Sequence, residues 1–321
     1  MLPEAMIEFT KMYERHPFIL TEGAIGERMK HEYGLYPDTD IMFAALLYSF
    51  KGKAALEEIY RQYLSIAEKY EVPIMLMTNT RRANKERVHK SEYQKKSIML
   101  DYALFLGDMI RNYNCQAYIG GLIGCKNDAY SGDCGLSYEE AIQFHSWQVD
   151  AFSEPSIDYF IAGILPSIEE AMGIATLLEK TNKPYFISFM INREGTLLDG
   201  TTIHDAIIAI DSITARKPLC YMSNCVHPIV LREALRKPVN VTQEVKKRFG
   251  GLQANASYML PSVLDGSNSL FASDPVSLLD DIESVYTYLP LKIIGGCCGT
   301  DNRHIEEIAK RYCGYSATLI T

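Results

Sequence analysis

Short apolar runs rich in β-branched and aromatic residues alternate along the chain with longer stretches whose apolar residues recur at helical spacing. The runs predict strands at Phe18–Thr21, Pro73–Thr78, Ala117–Leu122, Ile157–Ala162, Tyr185–Met190, Leu219–Ser223, Gly251–Ala256 and Leu291–Gly295. The intervening stretches predict helices at Ala44–Tyr70, Glu92–Arg111, Tyr138–Ala151, Ile168–Thr181, Ile203–Ala215, Pro228–Leu235, Pro275–Tyr288 and Arg303–Arg311. This alternation indicates the α/β class, and we predict a single (β/α)8 barrel (a TIM barrel) that occupies residues 1–321 as one domain.

A doubly wound open sheet is the alternative fold, and the length alone would also permit two domains. The open sheet usually carries three glycines after its first strand, whereas the segment 22–28 has only Gly23 and Gly26. No Ser, Gly or Pro-rich linker divides the chain. The barrel is therefore favoured, and its functional residues are expected at the carboxyl ends of the strands.

Composition limits the partners and the cellular location that we expect for the protein. The 32 basic and 40 acidic residues give a net charge of −8, which makes nucleic acid an unlikely partner. The first residues lack the basic and apolar stretches of a signal peptide, and the longest apolar run, 41–50, is too short to span a membrane. Eight cysteines in a chain of this size favour reduced thiols. We expect a cytoplasmic protein with no membrane partner.

Polar residues and cysteines stand where the predicted strands end. Cys225 follows strand 6, and Cys297 and Cys298 follow strand 8 within Gly-Gly-Cys-Cys-Gly. Three thiolates directed at one point suit Zn²⁺, and a three-ligand site leaves a fourth position for water or substrate. The alternatives are buried packing thiols and a phosphate-binding loop. Cysteines add nothing to phosphate binding, so the pattern favours zinc.

The segment Gly295–Thr300, followed by His304-Ile305, resembles the signature of the zinc-dependent homocysteine S-methyltransferase family, and Asn224-Cys225 agrees with it. The resemblance extends along nearly the whole chain and includes the methionine synthase homocysteine domain and betaine-homocysteine methyltransferase branches. It implies zinc bound by Cys225, Cys297 and Cys298, which act catalytically by holding homocysteine as a thiolate that attacks a donor methyl group. The substrate-binding residues that it implies are Glu22, Gly23, Asn79, Asn224 and Asn255.

Three departures from the family pattern bear on the acceptor. Gly163 stands where the family has a glutamate that contacts the amino group of homocysteine, Glu22 replaces an aspartate, and Asn255 lies between Ala254 and Ala256. An amino group buried without a partner would lose affinity. The sequence therefore leaves three readings: a homocysteine methyltransferase, a methyltransferase for another thiol, and a non-catalytic zinc-binding or thiol-sensing barrel.

The expected partners are a small-molecule thiol and a methyl donor. No Asp-x-His-x-x-Gly motif of corrinoid attachment is present, so a corrinoid donor would come on a separate protein. His227 is a candidate neighbour of the metal site or a solvated residue at a helix start, and the loop Gly120–Cys125 is a candidate wall of the donor pocket. The other cysteines are expected to be packing or surface thiols: Cys115, Cys125, Cys134, Cys220 and Cys313.

Overall fold

Eight parallel strands, paired in chain order, close into a barrel in which the last strand pairs with the first. The structure is a computed structural model that describes residues 4–130, 135–152, 156–258 and 273–314. The strands are β1 (Ile19–Thr21), β2 (Ile74–Met77), β3 (Ala117–Ile123), β4 (Tyr159–Leu165), β5 (Tyr185–Phe189), β6 (Tyr221–Val226), β7 (Phe249–Ala254) and β8 (Ile293–Gly296). The predicted (β/α)8 barrel is confirmed, and all eight predicted strands are present with ends shifted by up to a few residues.

Helices cover the outside of the barrel and follow most strands. They are α1 (Glu4–Arg15), α2 (Gly26–Tyr33), α3 (Phe50–Lys69), α4 (Lys85–Lys90), α5 (Ile98–Ile110), α6 (Tyr138–Ala151), α7 (Ile168–Leu178), α8 (Ile203–Ile213), α9 (Pro228–Leu235), α10 (Gln243–Arg248), α11 (Pro275–Tyr286) and α12 (Asn302–Tyr312), with 3₁₀ turns at Phe43–Tyr48 and Pro238–Asn240. Two of the predicted helices, α6 and α9, have the predicted bounds.

Two predicted helices were wrong in extent. The stretch predicted as one helix from Ala44 to Tyr70 is interrupted at Ser49, whose backbone is extended and whose side chain accepts a hydrogen bond from Gly52 N. Serine at this position caps the following helix rather than continuing the preceding turn. The second helix begins at Ile98 instead of Glu92. Apolar spacing runs through the first break, so periodicity alone does not reveal it, whereas residues 92–97 contain a single apolar residue, Tyr93.

Helix α1 closes the amino-terminal end of the barrel, a feature that the sequence pattern did not predict. Phe9 is fully buried, stacks on Tyr159 at 5.0 Å between ring centroids, and meets Tyr118 and Phe186 edge on. These rings form one apolar cluster with strand residues such as Ile161. Apolar side chains fill the amino-terminal end of the barrel, so polar chemistry is left to the carboxyl end.

A layer of polar side chains crosses the barrel above the apolar filling. Ser188 Oγ donates to Asn224 Oδ1, Asn224 Nδ2 donates to Gln253 Oε1, and Gln253 Nε2 donates to Thr21 Oγ1 at 3.0 Å. All four residues are buried. Because each amide uses both its donor and its acceptor within the layer, the layer is a preorganised floor under the carboxyl-end rim.

Candidate active site

Cys225 lies in a bulge of β6 that turns its side chain out of the strand pleat. Asn224 pairs with Gln253 and Val226 pairs with Ala254, so Cys225 is the extra residue between two successive pairs. Its φ of 58° lies in the left-handed region, which few residues other than glycine adopt. Bulges next to active sites redirect side chains in this way, and strained backbone at such positions is a common mark of function.

Cys297 and Cys298 occupy a tight turn that leaves β8. Thr300 N donates to Cys297 O at 3.1 Å, and Gly299 has a φ of +77° that a side chain would strain. The loop is tied to its neighbours, because Cys297 N donates to Ala254 O at 2.8 Å and Ala256 N donates to Cys298 O at 2.9 Å. The turn breaks the alternation of the strand, which allows two adjacent side chains to approach one point.

The three cysteines meet at the rim of the barrel. The sulfur atoms of Cys225, Cys297 and Cys298 all lie within 4.8 Å of one another. Zinc bound tetrahedrally to thiolates at about 2.3 Å separates the sulfurs by about 3.8 Å, so small side-chain adjustments would complete the site. Among the described residues no fourth His, Cys, Asp or Glu joins this group. The donor set fits zinc with one position open.

Neighbouring groups favour a negative charge in the cluster. Cys297 and Cys298 donate hydrogen bonds to Cys225, with a further one from Tyr130, and together they hold the pKa of Cys225 well below its usual range. Their hydrogen bonds to Cys225, together with burial and the charge on Cys225, raise the pKa of Cys297 and Cys298. The amide Nδ2 of Asn255 lies 3.8 Å from Cys225 Sγ, and Asn255 Oδ1 is held by Ser257 N at 2.8 Å. Asn255 is thus fixed as a donor to the cluster.

Glu22 and Gly23 follow the end of β1, and Asn79 follows the end of β2, at the same rim of the barrel. Glu22 is 4% exposed and accepts a hydrogen bond from Met77 N at 2.9 Å; its burial raises the pKa to about 8. A side chain at Gly23 would lie 2.7 Å from Tyr63 Oη, so glycine is required for close packing there. Asn79 Nδ2 donates to the hydroxyl of Tyr60 on α3 at 3.1 Å.

Asn224 belongs to the polar layer rather than to the cysteine cluster, although it precedes Cys225. Gly163 faces the same layer, because a Cβ at that position would lie 3.1 Å from Ser188 Cβ and 3.6 Å from Asn224 Oδ1. A longer side chain there would project toward the polar layer. The glycine therefore leaves space inside the barrel mouth and contributes no charge to it.

A cavity of about 170 Å³ opens beside Cys225 over the ends of β5, β6 and β7. His227 lines it as a buried residue; desolvation and Arg193 lower its pKa to about 4, so the ring is neutral at physiological pH. Arg193 lies 4.2 Å from the ring centroid of Tyr258. The lining residues are Tyr130, Met190, Ile191, Asn192, Arg193, Leu198, Cys225, Val226, His227, Val230, Asn255, Ser257 and Tyr258.

Two charged residues at the rim were missed by the sequence reasoning. Glu27, in the first turn of α2, accepts a hydrogen bond from Gly299 N in the cysteine turn. Arg81 follows β2 and interacts electrostatically with Tyr130, Cys125 and Cys225. Both follow strand ends, where a barrel carries its site, but neither matched a motif. The remaining cysteines in the described ranges lie outside the cluster, and Cys134 falls outside those ranges.

Fold and rim together define a barrel with a thiol-rich centre at the end where barrel enzymes carry their active sites. The sequence profile of the homocysteine S-methyltransferase family matches residues 19–312. The chain belongs to the homocysteine S-methyltransferase family and is a methyltransferase. Across the described ranges, no helix is long and apolar enough to cross a membrane.

Individual proteins agree with this assignment. Homocysteine S-methyltransferase 1 of Saccharomyces cerevisiae is 24% identical over 290 residues, which cover 84% of each chain. Homocysteine S-methyltransferase 2 of the same yeast is 22% identical over 279 residues and 81% of each chain. The metallated form of the homocysteine methyltransferase MmuM from Escherichia coli has a TM-score of 0.73 and 17% identity, and the match covers 94% of this chain and 98% of that chain. At this identity the structural match supports the fold.

Proposed function

We propose that this protein is a zinc-dependent homocysteine S-methyltransferase whose metal is held by Cys225, Cys297 and Cys298. The observation that carries the proposal is the convergence of three sulfurs within 4.8 Å with no fourth protein ligand in the described part of the chain. When bound, zinc would hold the acceptor sulfur at the open position as a thiolate near neutral pH. The names of the yeast and bacterial relatives support homocysteine as the acceptor.

The chain's own residues orient this chemistry. Asn255 donates toward Cys225 Sγ, and Glu27 fixes the turn after Cys298 through Gly299 N. The thiol proton leaves to solvent, and the acceptor sulfur forms a bond to the methyl carbon while the bond between that carbon and the donor breaks. The donor keeps the electron pair of the broken bond. The residues are needed for alignment, because an in-line displacement requires the reacting atoms to be held close and collinear.

The cavity beside Cys225 is our candidate for the donor site. Its walls are mostly apolar, with Met190, Ile191 and Val230 among them, and it adjoins the cluster directly. A small donor would reach the acceptor sulfur from this side without crossing solvent. A donor carried by a separate corrinoid protein would have to present its methyl group through the same opening. We also propose that the protein works in the cytoplasm, which its unpaired described cysteines support.

The thiol-sensing alternative would need a saturated metal site, and no His, Cys, Asp or Glu from the described ranges offers a fourth ligand. A methyltransferase for another thiol keeps the same residues and differs only in the acceptor. The two enzymes are separated by kcat/KM on a panel of thiols.

The proposal is tested by methyl transfer with zinc-loaded protein. Homocysteine is incubated with sulfonium, betaine, methylcorrinoid and methylfolate donors in turn, and the thioether is quantified by mass spectrometry. We expect methionine with at least one donor and no product after zinc is removed with a chelator. Methionine formation by zinc-free protein at an unchanged rate would contradict the metal's role. Zinc-dependent methylation of other thiols alone would replace homocysteine as the acceptor.

A further inference from the structure

Two oppositely charged side chains approach the cysteine cluster from different loops. Glu27 comes from the segment after β1 and contacts the turn that carries Cys297 and Cys298. Arg81 comes from the segment after β2 and packs over Gly124, where an added Cβ would overlap the Arg81 side chain. Glu27 therefore touches the cysteine turn directly, and Arg81 leaves the same carboxyl-end rim shortly after the end of β2. A molecule held at the cluster by its sulfur therefore has a carboxylate and a guanidinium near it.

Glu27 uses one of its two carboxylate oxygens in a hydrogen bond to the described residues, which leaves the other for a ligand. Its Oε2 accepts the hydrogen bond from Gly299 N, whereas Oε1 accepts none from the described residues. The other carboxylates near this end of the barrel are less suited to a cation. Glu22 also has one oxygen bonded, to Met77 N, but burial raises its pKa to about 8, so it is mainly protonated and neutral at pH 7. Asp301 is bonded to Arg303 and His304. Glu27 is thus the carboxylate available to a cationic group at the cluster.

Arg81 is similarly available. Its guanidinium donates no hydrogen bond to, and forms no salt bridge with, any residue in the described ranges, and its side chain is half-buried. Burial works against its charge, yet Tyr130, Cys125 and Cys225 more than compensate and raise its pKa. The adjacent Arg82, by contrast, donates to the backbone carbonyl of Asn127. An unpaired, half-buried guanidinium is a strong site for a planar carboxylate.

We propose that Glu27 and Arg81 recognise the two charged ends of an α-amino-acid thiol, with Glu27 binding the ammonium group and Arg81 binding the carboxylate. The inference rests on the proposed function, because it places the acceptor sulfur at the cysteine cluster. It explains how a barrel with Gly163 in its mouth can bind such an acceptor. The ammonium contact is supplied from the β1 side of the rim instead of from β4.

The test compares four thiols on zinc-loaded protein by isothermal titration calorimetry. They are homocysteine, 4-mercaptobutyrate, which lacks the ammonium group, 3-aminopropanethiol, which lacks the carboxylate, and propanethiol, which lacks both. We expect the wild-type protein to bind homocysteine roughly 10- to 100-fold more tightly than either thiol that lacks one charge, the range for one charge-assisted hydrogen bond. Propanethiol should bind most weakly.

Two variants assign each charge to its residue. Glu27→Gln keeps an acceptor for Gly299 N and should weaken homocysteine and 3-aminopropanethiol while leaving 4-mercaptobutyrate within about 2-fold. Arg81→Gln should weaken homocysteine and 4-mercaptobutyrate and spare 3-aminopropanethiol. The matched controls are Glu139→Gln, an exposed first-turn glutamate of α6, and Arg111→Gln, exposed at the end of α5; neither should change any affinity.

The outcomes separate this inference from the proposed function. Equal binding of all four thiols by wild-type protein that holds zinc would overturn the inference and leave the metal site intact. Equal weakening of every thiol by Glu27→Gln would assign Glu27 to the cysteine turn alone and overturn its role in recognition. Absence of zinc uptake by the wild-type protein would overturn the proposed function, and this inference with it. The wild-type comparison requires no variant to fold.

Discussion

Glu22 gives the structure a specific dependence of stability on pH. Its carboxyl group is 4% exposed and bonded to Met77 N, and burial raises its pKa from 4.5 to about 8. We expect Glu22→Gln to remove this titration while it keeps an oxygen that can accept the Met77 hydrogen bond. The amide also supplies a neutral donor in place of the acid proton. The variant should therefore fold with little rearrangement.

The size of the effect follows from the two pKa values. Between pH 4.5 and about 8, the folded protein keeps a proton on Glu22 that the unfolded chain has released. The favourable contribution is complete below pH 4.5 and is lost as the pH rises through 8, at up to about 1.4 kcal/mol per pH unit. Over the whole interval the loss approaches about 5 kcal/mol, and Gln at position 22 does not incur it.

The assay is urea unfolding of both proteins at half-unit steps from pH 5 to 9, without zinc and under reducing conditions. The cysteines titrate in both proteins, so the difference between the two free energies of unfolding isolates Glu22. We expect that difference to grow with pH in favour of Glu22→Gln and to level off above pH 8. Glu139→Gln, which changes an exposed glutamate, should follow the wild type throughout. Parallel curves for wild type and Glu22→Gln would refute the reasoning.

Two further pairs of substitutions test the metal site and the packing around glycines. Cys298→Ala removes one of the three sulfurs. Zinc affinity, measured against a chromogenic chelator, should fall by roughly 100-fold, which corresponds to the loss of about a quarter of the binding free energy of a four-ligand site. Cys313→Ala, at the exposed end of α12, should retain zinc. Gly295→Ala would place a methyl group 2.7 Å from Thr21 O and should destabilise the fold by about 1–3 kcal/mol. Gly107→Ala in α5, with Ile119 Cδ1 at 3.8 Å, should stabilise it by about 0.5–1 kcal/mol. Loss of zinc from both cysteine variants, or equal melting shifts in both glycine variants, would contradict these assignments.

The strands and the cysteine turn were predictable from the sequence because both have local signals. Short runs of aromatic and β-branched residues such as Tyr185–Phe189 mark buried parallel strands, and glycines around Cys297 and Cys298 mark a turn. Chain order then placed Cys225 at the same rim. The bulge that turns Cys225 toward the others depends on the pairing of β6 with β7, which a single strand's sequence does not reveal.

Other features depend on tertiary contacts and have no local sequence pattern that would predict them. Helix α1 looks like any amphipathic helix, and only its packing shows that Phe9 closes the barrel. Glu22 remains a predicted substrate-binding residue, and its sequence position did not reveal that it accepts a hydrogen bond from Met77 N or that burial raises its pKa. No motif singled out Glu27 or Arg81, and only the fold brings them to the rim that carries the thiols. Charge alone does not distinguish a solvated residue from one that faces a site.

The most direct test of the central claim is zinc-edge X-ray absorption on protein purified under reducing conditions, with zinc content measured on the same sample. We predict about one zinc per chain, with three sulfurs and one lighter atom around it, changing to four sulfurs when homocysteine is added. Zinc with three sulfurs that ignores homocysteine would contradict the assignment of the acceptor. A protein that takes up no zinc after reconstitution would contradict the metal centre itself.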